Sequence, residues 1–231
     1  MQASLTATDL ACRRGDRVLF RGIDLALEQG AALHITGANG VGKSSLLRIL
    51  AGLLQPFAGS ITAKGAIGLM DERPALDPHL PLGRALGFWS RIDGAAGDGA
   101  IAARLALGDL LDVPVRYLST GQRKRAAMAR ILGQRADIWL LDEPLSGLDQ
   151  ASQGLVAQLV GEHIAAGGIA VIASHQPLAL GDLQTLALEQ FVPPLPDGEG
   201  IEGWGNGGAV SRDNAASNTP TQPPPQGGGD S

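Results

Sequence analysis

Residues 37–44 read Gly-Ala-Asn-Gly-Val-Gly-Lys-Ser, a glycine-rich loop between an apolar run at 31–36 and a segment at 43–51. In that second segment Leu46, Leu47 and Leu50 recur at helical spacing, and Gly52 ends it. Strand, tight glycine loop and helix in this order leave few folds open. The loop must turn the chain from a buried strand into a helix lying against the sheet, the first half of a parallel strand–helix–strand unit. Gly37, Gly40 and Gly42 permit backbone angles and a close approach that a Cβ would obstruct. The N–H groups of Ala38, Asn39 and Val41 and of the helix start, through Ser45, then form an anion site suited to phosphates. Lys43 offers a point charge to phosphate oxygens and Ser44 a hydroxyl for Mg²⁺. The chain has three lysines (43, 64 and 124) against fifteen arginines, so a lysine at the loop is a selective placement.

The rest of the body repeats the strand–helix alternation. Val18, Phe20, Ile23, Leu25 and Leu27 fit strand segments around a turn at Arg21-Gly22, and residues 60–70 return to a strand pattern. Helical spacing from 80 to 111 is broken at Asp93-Gly94 and Gly97-Asp98-Gly99; helices at 121–133 and 152–166 flank buried strands at 137–141 and 169–173. The fold class is therefore α/β: a mainly parallel core sheet, a β-rich N-terminal region and an inserted helical subdomain at about 74–135. At 231 residues and 44% apolar content, residues 1–190 can bury one good core. Residues 191–231 are rich in Pro, Gly, Asn and Ser, without apolar periodicity, and read as a disordered tail. A net charge of −5 argues against a nucleic-acid partner held by a basic face. No apolar run approaches the roughly 18 residues of a membrane helix, so any membrane contact is through a partner. Residues 1–14 are too polar for a signal peptide, and the lone Cys12 reads as a small strand residue in a reducing compartment.

A second element sits at 138–143, where the apolar strand ends in Asp142-Glu143-Pro144. Acids at the carboxyl end of a parallel strand lie in the crevice where α/β folds bind ligands. Asp142 is suited to hold Mg²⁺ through water, and Glu143 to orient and deprotonate a water attacking a γ-phosphate. A third is Leu118-Ser119-Thr120-Gly121-Gln122, a serine hydroxyl and free N–H groups at a helix start. The cationic run that follows, Arg123-Lys124-Arg125, reads as a solvated helix face.

Over residues 4–190 this set resembles the ATP-binding cassette (ABC) ATPases, a P-loop NTPase family whose signature usually reads Leu-Ser-Gly-Gly-Gln, here with Thr120. The resemblance implies ATP and Mg²⁺ as cofactors, and an N-terminal antiparallel β region. It also implies that Ser119, Gly121 and Gln122 contact ATP bound by a second copy of the chain. Ser146-Gly147-Leu148-Asp149 is similar to the loop that crosses such a dimer, and His175 to the histidine that touches the γ-phosphate. Glu143 and His175 are thus the implied catalytic residues.

Two positions depart from the family pattern. Arg14 stands where an aromatic usually stacks on adenine; a planar guanidinium can stack on a base. Asp71-Glu72-Arg73-Pro74 stands where a glutamine is expected, which leaves either acid open as a replacement metal contact. Arg14, Ser119-Thr120-Gly121-Gln122-Arg123 and His175-Gln176-Pro177-Leu178 are most similar to the haem-exporter group of cytochrome c maturation. That resemblance implies an integral membrane permease subunit of the cytochrome c maturation system as partner, and a place at the cytoplasmic face of the bacterial inner membrane. Another transporter ATPase, a soluble cassette protein and a regulatory ATPase with weak hydrolysis are the competing readings.

Overall fold

Five short strands carry the core. In the computed structural model, which describes residues 2–94, 98–176, 178, 180–181 and 183–194, these are β3 (Ala32–Thr36), β5 (Ile67–Met70), β6 (Ile138–Asp142), β7 (Ile169–Ala173) and β8 (Gln184–Ala187). They form one parallel sheet in the order β5-β6-β7-β3-β8. Every residue of β6 and β7 is buried, as expected for central strands covered on both faces. A second sheet, antiparallel, joins β1 (Ser4–Arg14), β2 (Arg17–Glu28) and β4 (Ala58–Lys64) in the order β2-β1-β4.

Strand β2 runs straight through Arg21-Gly22, where the sequence pattern suggests a turn. Gly22 takes φ +72 and the pairing with β1 shifts register between Leu10 and Cys12, so the pair absorbs the irregularity as a bulge. A local pattern cannot separate a bulge from a turn, because both break the period-two alternation.

Helix α1 (Lys43–Leu50) buries Leu46, Leu47, Ile49 and Leu50 between the two sheets, and C-terminal Leu188 closes the same cluster. On the other face α2 (Leu82–Ile92), α3 (Asp98–Arg104) and α4 (Thr120–Gln134) share a cluster with α5 (Gln150–Ala165) around Trp139, Leu141 and Ile172. The described body ends in a single 3₁₀ turn, Leu188–Phe191, whose Phe191 packs on the first cluster. Of the tail expected at 191–231, residues 195–231 lie outside those described. Among the described residues no helix is long and apolar enough to cross a membrane.

The register of the parallel sheet places the chemistry. Ile35 pairs with Ala173, Ala173 with Asp142, Met70 with Leu141 and Thr36 with Ala187. Parallel strands in this register end level with one another. The residues just beyond them, Gly37, Asp71, Glu143, Ser174 and Leu188, therefore share one carboxyl edge.

Candidate nucleotide site

The loop after β3 closes over that edge. Gly37, Gly40 and Gly42 all have positive φ (146, 81 and 121), and a Cβ on Gly42 would sit 3.1 Å from the Phe20 ring. Lys43 is 6% exposed, and its Nζ donates to the carbonyls of Gly37 at 2.6 Å and Ala38 at 3.2 Å. It lies 3.9 Å from Glu143 Oε1. A cleft of about 330 Å³ runs along the loop past Asn39, Gly40, Gly42, Ser44 and Ser45, with Arg14 and Leu19 on its wall. Arg14 and the loop thus line one cavity, an arrangement that lets a base lie against the guanidinium. Gly37, Ala38 and Val41 do not line this cleft. The Ala38 N–H is turned to the Glu189 carboxylate, 2.5 Å away, rather than into the cleft.

Glu143 is the strained residue of the site. Its φ of +47 is uncommon outside glycine, and its N–H is held by Ala173 O at 2.8 Å. Strain of this kind costs on the order of 1–3 kcal/mol and gathers at functional sites. It directs the carboxylate between Lys43 and His175, whose Nδ1–H donates to Oε2 at 2.9 Å. His175 is itself placed by β7 and by buried Ser174. The Ser174 carbonyl accepts from His34 Nε2 at 3.1 Å and its N–H donates to Ile35 O. Pro177 lies outside the described residues.

Asp142 is 4% exposed, and burial raises its pKa; a hydrogen bond from the Ser44 hydroxyl opposes this, and Asp71 adds to it. A carboxylate drawn out of water beside a hydroxyl, with only hard oxygen donors present, fits Mg²⁺ better than a softer metal. Among the described residues no group of three or more His, Cys, Asp or Glu is spaced to hold a metal unaided.

Ser119, Gly121 and Gln122 do not line this cleft. Ser119 caps α4 in a reciprocal box: its Oγ accepts from the Gln122 N–H at 3.2 Å, while the Gln122 side chain accepts from the Ser119 N–H at 2.8 Å. Thr120 is accommodated by a glycine opposite, since a Cβ on Gly147 would approach the Thr120 methyl at 2.9 Å.

Lys124, Glu189 and Arg48 reach the site in roles the sequence does not indicate. Lys124 does not sit on a solvated face: its Nζ donates to Asp142 O at 3.2 Å, and burial lowers its pKa against the pull of Asp142, Glu143, Glu72 and Asp71. Arg125 likewise turns inward, to the carbonyls of Leu105 and Ala106. Glu189 grips the back of the phosphate loop, and Arg48 holds Asp71. Only Arg48 had a local signal, four residues after Ser44 and so on the same helix face.

Comparison with known proteins agrees with this geometry. Residues 20–146 match the family described as ABC transporter. This chain belongs to the ABC transporter family. It is an ATP-binding cassette, and its family's reaction is ATP hydrolysis. It is similar to the "Cytochrome c biogenesis ATP-binding export protein CcmA" of Novosphingobium aromaticivorans, 59% identical over 83% of this chain and 99% of the relative. The protein of the same name from Zymomonas mobilis is 50% identical over 82% of this chain and 86% of the relative. Among solved structures, an ABC transporter ATP-binding protein from Pyrococcus furiosus superposes with a TM-score of 0.71 at 24% identity, covering 82% of this chain and 100% of that one. Subunits of this family generally dimerise and pair with a membrane permease.

Proposed function

We propose that two copies of this cassette bind two ATP between the phosphate loop of one and the Ser119–Gln122 segment of the other, and that hydrolysis drives a membrane permease of c-type cytochrome biogenesis. The observation that carries the catalytic part is the Glu143 carboxylate, held between Lys43 and His175 at the mouth of the phosphate loop. Lys43 and the loop N–H groups bind the β- and γ-phosphates, and Arg14 receives the base. Glu143 accepts a proton from water, while His175 orients that carboxylate and faces the γ-phosphate. Ser44 and Asp142 would hold Mg²⁺, which when bound neutralises phosphate charge. Catalysis then consists mainly of positioning and charge stabilisation.

The second half of the site is supplied in trans. Ser119 and Gly121 lie outside the phosphate-loop cleft of their own chain, yet they are presented at a capped helix start where an anion is favoured. The role in cytochrome c biogenesis is supported by the likeness to proteins of that name over nearly their full length. It implies a peripheral position at the cytoplasmic face of the inner membrane.

Glu143→Gln keeps shape and hydrogen bonding but removes the base. Turnover is expected to fall on the order of 10²- to 10⁴-fold while ATP still binds. Wild-type turnover in that variant would sink the role of Glu143. For the partner, purification of the native membrane complex with identification of its subunits and haem decides between cytochrome c biogenesis and another transport system.

A further inference from the structure

The loop that leaves β5 separates two cavities. On one side Asp71 and Glu72 wall an acidic cavity of about 370 Å³ together with Ser44, Asp142 and Glu143. On the other, Asp71, Pro74 and Ala75 wall a groove of about 470 Å³ closed by Trp89 and Arg130 of the helical subdomain. Whatever moves this loop alters both cavities at once.

One side chain fixes it to the phosphate-binding helix. Arg48 donates from Nε to Asp71 Oδ2 and from Nη2 to Asp71 Oδ1, each at 2.9 Å, a two-point pair with both side chains about one-third exposed. Asp71 Oδ1 also accepts the N–H of Glu72 at 2.7 Å, so the carboxylate shapes the loop as well as anchoring it. Arg48 lies one helical turn beyond Ser44 on the same face of α1. At its far end the loop is gripped by α2, where Trp89 Nε1 donates to Ala75 O. The Trp89 ring in turn lies under Arg130 of α4, 4.3 Å from the guanidinium carbon, and Arg130 is paired with Asp93 at 2.7 Å.

We infer that the Arg48–Asp71 pair couples the phosphate-binding helix to the helical subdomain, with Asp71 serving as the anion of this tie and not as a ligand of the nucleotide-bound cation. Both carboxylate oxygens of Asp71 are already engaged by a guanidinium and a backbone N–H, whereas the Asp142 carboxylate takes the Ser44 hydroxyl. A shift of α1 on phosphate binding is thereby passed to residues 71–75, to Trp89 and on to α4, the helix that begins at Thr120. The inference rests on the assignment of Lys43 and Ser44 to phosphate binding.

The test uses the full chain with Mg²⁺ and a non-hydrolysable ATP analogue at concentrations that saturate each variant, with affinity measured separately. Hydrogen exchange across residues 72–92 is expected to slow on analogue binding in the wild type. In Arg48→Gln and in Asp71→Asn that slowing is expected to shrink by roughly 5-fold or more. Asp71→Glu, which keeps the charge, retains most of it, and the double exchange Arg48→Asp with Asp71→Arg recovers part of it. Wild-type slowing in both single variants would overturn the coupling. So would an altered Mg²⁺ requirement in Asp71→Asn that Arg48→Gln does not share, because Asp71 would then be a cation ligand. Failure of the wild type to bind the analogue at all would instead strike the phosphate assignment.

Discussion

The two ends of the parallel sheet are built from the same apolar strands and serve opposite purposes. At the carboxyl end the chain gathers Asp71, Asp142 and Glu143 with Lys43 and Lys124, leaves Asp142 buried, and holds Glu143 at φ +47. At the amino end Trp139 stacks flat on His163 of α5, ring centroids 3.9 Å apart and 7° from parallel. His163 Nε2 hydrogen-bonds Ile169 O at 3.2 Å, and Gly168 leaves no space beyond the ring. One end accumulates strain and charge that binding can relieve; the other rests on ring stacking, which leaves the buried Trp139 indole N–H without a hydrogen-bond partner. The difference teaches where this fold stores stability and where it gives stability up for chemistry.

The largest expected contrast comes from Glu143→Gln. Its loss of turnover, on the order of 10²-fold or more, is expected without loss of melting temperature, because a crowded carboxylate is removed from beside Asp142. A fall in Tm would break the comparison at the carboxyl end. Gly168→Ala is the counterpart at the amino end. The added Cβ would lie 2.2 Å from two atoms of the His163 ring, so the ring must leave its stack on Trp139. Overpacking of this sort costs about 1–3 kcal/mol, visible in chemical denaturation, with the ATP affinity of the folded fraction unchanged.

A smaller effect concerns pH. Burial holds the His163 pKa below its usual value of about 6.5. Hydrogen bonds to the carbonyls of Ile169 and Asp137, and the charge of Asp137, oppose that shift. Because the folded pKa is the lower one, the unfolded chain takes up the proton first. The contribution of His163 is thus complete above about pH 6.5 and is lost as pH falls toward the folded value. Melting curves from pH 8 to 5 are expected to show a steeper decline for the wild type than for His163→Gln; parallel declines would remove the pH sensitivity from this end. The smallest effect is expected from Glu189→Ala. It frees the Ala38 N–H at the back of the phosphate loop, and we expect ATP affinity to weaken by about 2- to 10-fold, in line with the loss of one charge-assisted hydrogen bond. Glu189→Gln, which can still accept, is expected to lie between the two in equilibrium binding.

Much of the site is legible in the sequence alone. The glycine loop, the acids at the end of β6 and the serine at the start of α4 announce themselves because each is a local device. A positive-φ turn, a charged strand end and a helix cap are written in contiguous residues. The partners of Asp71, Ala38 and Asp142 were not legible in the same way. Asp71 meets Arg48 across 23 residues, Asp142 meets Lys124 across 18, and Ala38 meets Glu189 across 151. Lys124 is illegible for a related reason: in Arg123-Lys124-Arg125 the charges look like a solvated face, but α4 brings Lys124 to Asp142, Glu143, Glu72 and Asp71, where Coulomb attraction offsets part of the cost of burial.

By itself the sequence determined the parallel α/β class, the phosphate loop and the order of its companions, since periodicity, glycine placement and strand-end charge act over a few residues. Only the tertiary structure decided that Gly37, Asp71, Glu143, Ser174 and Leu188 lie along one edge, because the register of five parallel strands is set by hydrogen bonds between segments far apart in the chain. That register brings Glu189 to the back of the loop and Arg48 to Asp71, and it turns a row of strand ends into a site.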